Sequence, residues 1–346
     1  MDSKKRNAKV GWLTLNRACN NRCEWCYAQG TGFKDVNLPL DLAENLIYFM
    51  KDIGVGRVIL LGGEPTLYAH LLEIIRMLIR TDIQPILVSN GRKFADKNYA
   101  RMIADTGLNA VGFSMKAANK EQYMRLTGSD GYDETIKGIH NLNELGVSVP
   151  VSVTVVQALI ETLPELLENL IKEGVKRLSI DMGNPVISKE VIKAAGIADP
   201  RELSTVVDKA YEVLKDSNVD YDIFASIPLC IISKETKEEL IQAGRIVSCC
   251  HAMLENGIIF DQDGNVIPCN GLSDFPIGRY GVDFADTKSF EKFSSSEEMG
   301  KFQQTFLRYP TERCVDCDDW NLCGGGCPLR WLYWNPQDYI TQPERR

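Results

Sequence analysis

No run of apolar residues approaches the length of a membrane span, and the N-terminal Met-Asp-Ser-Lys-Lys-Arg-Asn lacks the apolar stretch of a secretory signal. No membrane association is expected, and the reading places the chain in the cytoplasm. Positive charge is scarce as well: 39 Lys and Arg stand against 47 Asp and Glu, a net charge of −8. General binders of phosphate backbones carry the opposite excess, so nucleic acid is not expected as the substrate. No segment is low-complexity and nothing repeats beyond a strand-helix unit, which leaves neither a long disordered linker nor a solenoid. What remains is an ordinary globular composition, 44% hydrophobic and 25% charged over 346 residues, enough for two domains.

Cysteine is what the chain does have. Eleven cysteines in a reducing compartment point to metal ligands before disulfides. Cys19, Cys23 and Cys26 form C-x3-C-x2-C directly after the first expected strand. Thiolates at that spacing could hold three irons of a [4Fe–4S] cube and leave the fourth open to a small molecule; unrelated buried thiols or a zinc knuckle are the plainer alternatives. A second group is Cys314-x2-Cys317-x5-Cys323-x3-Cys327, preceded by Cys249-Cys250 and by Gly264-x4-Cys269. By spacing alone the four-cysteine run also suits structural zinc. Cys230 stands apart and reads as a small buried hydrophobe.

Between these groups, short apolar runs at Val10–Leu15, Arg57–Leu61, Ile83–Val88, Ala110–Met115, Val149–Val155 and Arg177–Asp181 predict strands. Leu40–Met50, Tyr68–Arg80, Asp96–Thr106, Glu134–Leu145 and Leu163–Glu173 carry apolar residues three and four apart and predict helices. The alternation implies a parallel α/β sheet of six units, short of a closed TIM barrel; a doubly wound sheet fits the periodicity equally well. One more helix is expected over residues 199–216, after which the rhythm is lost. Asp263-Gly264 between Gly257–Asp261 and Val266–Cys269 signals a β-hairpin.

Ligands of parallel sheets sit beyond the carboxyl ends of the strands. Gly62-Gly63-Glu64-Pro65 follows the second strand, Ser89-Asn90-Gly91 the third, Ser114 the fourth, and Asp181 and Asn184 the sixth. The glycines permit close backbone approach, and the glutamate can accept from an ammonium group; alone, such a loop is an ordinary strand-to-helix turn.

Taken together, the cysteine triad with Trp25 before its third member, the GGE(P) loop and the SNG turn resemble the radical S-adenosylmethionine (radical SAM) superfamily. The resemblance implies an open partial (β/α)6 TIM-like barrel, here over residues 8–220. It also implies a [4Fe–4S] cluster on Cys19, Cys23 and Cys26, and S-adenosylmethionine bound through Gly62, Gly63, Glu64, Asn90, Ser114 and Arg125 beside Trp25. The implied chemistry is cleavage of S-adenosylmethionine to a 5′-deoxyadenosyl radical that abstracts hydrogen from a substrate. Met115-Lys116 depart from the family's usual Leu/Ile-Asp after the serine.

The later cysteines, with Gly324-Gly325-Gly326 between the last two, resemble the SPASM extension. That implies a small, irregular cysteine-rich domain over 221–346 with one or two auxiliary [4Fe–4S] clusters. Carried over by residue, Cys249 or Cys250, Cys269 and Cys327 serve one cluster, and Cys314, Cys317 and Cys323 the other, one ligand short because no cysteine follows Cys327. The expected function is modification of a ribosomally made peptide. Alternatives are a dehydrogenase of a sugar- or aminoglycoside-like molecule, a sulfatase-maturase-like oxidase, disfavoured by Asn270 where those relatives keep an aspartate, and a multi-cluster electron carrier. The expected partners are the substrate and a flavodoxin- or ferredoxin-type reductant. The first strand starts about ten residues in, so a separate leader-recognition protein is a further expected partner.

Overall fold

The computed structural model describes residues 9–30, 36–190, 192–250, 257–306 and 308–340. Its centre is an eleven-stranded sheet in the order β10-β9-β6-β5-β4-β3-β2-β1-β11-β12-β13. The six expected strands are all present, as β1 (Lys9–Thr14), β2 (Val55–Leu61), β3 (Gln84–Ser89), β4 (Val111–Met115), β5 (Val151–Val155) and β6 (Arg177–Met182). They pair in parallel, in sequence order. A two-stranded ribbon, β7 (Val186–Ile187) with β8 (Ile192–Lys193), lies apart from the sheet.

Three further parallel strands extend the set. β9 (Asp220–Phe224) pairs with β6, β10 (Ile246–Val247) with β9, and β11 (Gly257–Phe260) with β1. The division expected between residues 220 and 221 therefore falls inside β9, and β11, assigned to the later domain, lies in the main sheet. The reason is visible in the residues. Asp-Tyr-Asp-Ile-Phe alternates polar and apolar side chains instead of forming an apolar run, and β11 finds its partner some 245 positions away (Phe260 opposite Leu13). The hairpin forms as expected: β11 turns through Gly264, at φ +78°, into the antiparallel β12 (Asn265–Val266), and β13 (Gly278–Arg279) completes the edge.

The core lies between sheet and helices. The helix Leu71–Arg80 buries Leu71, Ile74, Ile75, Met77 and Leu78, the stripe its periodicity foretold. Each such side chain contributes about 1.5–3 kcal/mol on burial. Along β4 the side chains of Val111, Phe113 and Met115 are fully buried against the helices, while Ser114 faces the other way and keeps some exposure. The strand register extends that inner face: Ser114 lies opposite Ser152, Ser152 opposite Ser179, and Ser179 opposite Asp222, with Thr154, Asp181 and Phe224 in the next row. Parallel sheets usually bury apolar side chains on both faces. Here one face is polar over four adjacent strands, as a lumen for a polar ligand requires.

Among the described residues no helix is long and apolar enough to cross a membrane.

Candidate functional site

The segment after β1 carries the three N-terminal cysteines, and the loop after β2 holds it. Gly63 N donates to Asn16 O (2.8 Å) and Glu64 N to Ala18 O (2.7 Å). The glycines are required by this contact. A Cβ on Gly62 would stand 2.3 Å from Asn16 Oδ1, and one on Gly63 2.3 Å from Ala18 O. Tyr27, directly after Cys26, donates from its hydroxyl to Gly62 O at 2.8 Å. Behind the loop, Arg92 donates to Asn20 O (2.8 Å) and Asn21 Oδ1 (3.1 Å) while pairing with Glu134. Tyr27 and Arg92 escaped the sequence reading, because only the folded sheet brings the β3 loop under the cysteines.

Cys19, Cys23 and Cys26 converge closely enough for their charges to act on one another. Burial pushes the Cys19 thiol up to about 11, with the Glu64 carboxylate and the other two thiols adding to the rise. Burial also raises Cys23, and the Lys116 ammonium opposes that rise. Thiols raised in this way ionise readily only when a metal takes the place of the proton. Three soft thiolates in a cradle of close-approach glycines fit a [4Fe–4S] cluster with one iron unligated by protein. Among the described residues no three His, Cys, Asp or Glu side chains are gathered around a point suited to one ion, so a mononuclear zinc site would need the thiols to move.

The other expected contacts are placed unequally. Glu64 is 1% exposed and its carboxylate accepts four hydrogen bonds: Thr66 N (3.1 Å), Thr66 Oγ1 (2.7 Å) and Ser89 Oγ (2.8 Å) on Oε1, and Asn90 N (2.7 Å) on Oε2. A carboxylate has about four acceptor positions. These bonds pin the β2 loop to the β3 loop, and Oε2, with a single donor, keeps one acceptor position. Asn90 sits within that joint and donates to Asn20 Oδ1 at 2.6 Å. Trp25 packs against the hydrophobic core. Ser114 opens toward the lumen, where Lys116 Nζ donates to its hydroxyl. Arg125 lies exposed on the helix Lys120–Thr127, with no hydrogen bond or ion pair among the described residues. Asp181 is half-buried, and desolvation raises its carboxyl to about 6 although Ser179 Oγ donates to it (3.0 Å) and Lys116 lies nearby.

The C-terminal cysteines sit at the same end of the sheet. Cys327 N donates to Ser226 O, just beyond β9, at 3.0 Å. Arg330, 0% exposed, donates to Ser226 O (3.0 Å), to Ala198 O (3.3 Å) and to Gly183 O beyond β6. Cys269 and Cys327 act electrostatically on each other and both feel Cys250; burial holds Cys269 up to about 12 and Cys327 to about 11. Cys249 instead turns its thiol toward Cys250 O, so Cys250 is the member of the pair that faces the other two. Asn270 Oδ1 and Ser273 Oγ, beside Cys269, are buried with no hydrogen-bond partner among the described residues, and Asn184 Oδ1 is likewise orphaned. Cys323 lies within electrostatic reach of Cys317, and Cys317 N donates to Cys314 O at 3.5 Å.

Residues 13–162 match the family model described as the radical SAM superfamily. GTP 3′,8-cyclase of Helicobacter pylori is 23% identical over 335 residues, covering 93% of this chain and 95% of that protein. The chain spans about half the length of other curated relatives it matches, 48% and 46% in two cases. Among solved structures, anSMEcpe with bound AdoMet and the Cp18Cys peptide superposes with a TM-score of 0.68 at 19% identity, covering 92% of this chain and 89% of that one. Streptococcus suis SuiB bound to precursor peptide SuiA gives 0.71 at 18% identity, with 97% and 75% covered. With the cysteine triad, the glycine cradle and the parallel half-barrel in place, residues 13–162 form a radical SAM domain, of the superfamily that uses S-adenosylmethionine and a [4Fe–4S] cluster.

Proposed function

We infer that this protein is a radical SAM enzyme that modifies a peptide, with auxiliary iron–sulfur clusters in its C-terminal part. When bound, the cluster and S-adenosylmethionine supply a 5′-deoxyadenosyl radical for hydrogen abstraction. The chain's own residues provide the rest. Cys19, Cys23 and Cys26 would hold the cluster, and Gly62 and Gly63 leave room for close approach. Ser114, Lys116, Asp181 and Asp222 supply a polar lumen in which a substrate can be oriented by hydrogen bonds.

The observation that carries the reading is the position of the second cysteine group. Cys327 and Arg330 dock on backbone carbonyls beyond β6 and β9, the end of the parallel sheet at which Cys19–Cys26 follow β1. Auxiliary clusters there would stand across the lumen from the radical source, where an electron released by an oxidised substrate can be received. The peptides bound in the two superposed structures, Cp18Cys and SuiA, support a peptide as the substrate.

A second reading is a purine nucleotide substrate, favoured by the near full-length alignment with a GTP 3′,8-cyclase. Anaerobic reconstitution with iron and sulfide, reduction with S-adenosylmethionine and chromatography for 5′-deoxyadenosine test the common core. Cleavage by the wild type and its loss in Cys26→Ala are expected; cleavage that survives Cys26→Ala would overturn both readings. Product analysis with GTP against a cognate peptide then separates them.

A further inference from the structure

We propose that Cys230 is the fourth protein ligand of a [4Fe–4S] cluster held by Cys314, Cys317 and Cys323, replacing the cysteine missing after Cys327. The proposal rests on the auxiliary-cluster reading above and adds a ligand from a part of the chain that no cysteine spacing connects to the others.

In sequence Cys230 stands alone and reads as a buried apolar filler. The fold contradicts that: the residue is exposed and lies in the tight turn Leu229–Ile231, which follows β9. This turn is laid directly on the C-terminal cysteine segment. Leu229 N donates to Cys323 Sγ at 3.3 Å, the type of amide-to-sulfur bond that iron–sulfur ligands receive. A Cβ on Gly326 would stand 2.8 Å from Ser226 O and 2.9 Å from Ile227 Cα, so the two backbones touch where the glycine lets them. The helix that follows the turn is tied to the same loop by Lys237 and Asp319, 2.9 Å apart and about a quarter exposed. Residues 226–237 and 317–327 are therefore fixed against each other along their length.

The thiol itself completes the arrangement. Cys230 lies within electrostatic reach of Cys314 and Cys317, and Cys323 within reach of Cys230 and Cys317. The four thiols thus lie in one neighbourhood, and among the described residues they are not gathered around a single ion. A cubane presents its irons at four separated corners, and ligation takes the proton from each thiol. With Cys230 in place the cluster is closed, and its task is electron transfer without an open iron.

The test uses the full chain carrying Cys19→Ala, Cys23→Ala and Cys26→Ala, so that only auxiliary clusters load. Iron per chain and the EPR spectrum of the reduced protein are compared for this parent and for added Cys230→Ala, Cys230→Ser and Cys317→Ala, with circular dichroism as the check on folding. Cys230→Ala is expected to lose about four irons per chain, or about one with the appearance of a three-iron signal. Cys230→Ser, whose hydroxyl can still ligate, is expected to keep the iron with shifted g values, which serves should the alanine variant not fold. Parent iron and spectrum in both Cys230 variants, while Cys317→Ala loses about four irons, would overturn the proposal alone. Parent values in Cys317→Ala as well would mean that no cluster forms on these thiols, and the auxiliary-cluster reading would fall with it.

Discussion

Replacing Glu64 with glutamine separates a structural pin from a ligand. The wild-type carboxylate takes four protein donors at 2.7 to 3.1 Å and is 1% exposed. Glutamine keeps the shape and exchanges one acceptor oxygen for an NH2. If that group faces Asn90 N, a buried donor is orphaned at about 1–3 kcal/mol. The three bonds to the other oxygen weaken from charge-assisted to neutral, about 1 kcal/mol each. The expected loss is about 4 to 6 kcal/mol, concentrated where the β2 loop meets the β3 loop. Hydrogen exchange read by mass spectrometry should then show faster exchange in peptides covering residues 64–68 and 88–92, with peptides from β5 and β6 unchanged. Cluster loading on Cys19–Cys26 should fall too, because Glu64 N holds Ala18 O. If Glu64→Gln leaves exchange and iron content as in the wild type and weakens only S-adenosylmethionine binding, the pinning argument is refuted and the carboxylate is a direct ligand.

Gly63→Ala should abolish loading of the N-terminal cluster with little change in the fold of the sheet, since its Cβ would sit 2.3 Å from Ala18 O and 2.5 Å from Arg17 O, just before Cys19; normal iron content in that variant would contradict the cradle. Asp181 has its folded carboxyl raised to about 6 against an unperturbed 3.8, chiefly by burial. The folded state therefore holds the proton more tightly than the unfolded state, and stability contributed by this group falls as pH rises from about 4 through about 6. Asp181→Asn removes that penalty, so the metal-free variant should exceed the wild type by at most about 3 kcal/mol above pH 6 and by nothing near pH 4. Equal melting-temperature differences at both pH values would refute it.

The legibility of this molecule in its sequence followed distance along the chain. The six strands from β1 to β6 are local apolar runs joined by amphipathic helices, and each appears within a few residues of its expected place. The cysteine triad and the GGE loop were equally plain, being contiguous motifs. What failed to show was long-range. β11 was legible as one arm of a hairpin, but its parallel pairing with β1 was not. Arg92 carries no motif yet secures the residues between Cys19 and Cys23. Arg330 looks like a surface arginine and is buried on three backbone carbonyls. Glu64 was legible as part of its loop, but its joint with the β3 loop was not, because the donors come from Thr66, Ser89 and Asn90 together.

The pairing of β1 with β11 bears on how the protein is made. β1 precedes β11 by 247 positions, and its edge toward β11 stays unpaired until residues 257–260 are synthesised. Only then can Gln262 Oε1 accept from Arg17 Nε at 2.9 Å, two residues before Cys19. The cysteine loop is thus translated well before it is shaped, and contacts so distant in sequence form slowly. Iron–sulfur delivery to Cys19, Cys23 and Cys26 consequently belongs after synthesis of residues 257–262, and a nascent chain halted before residue 257 would present three thiols beside an incompletely paired β1.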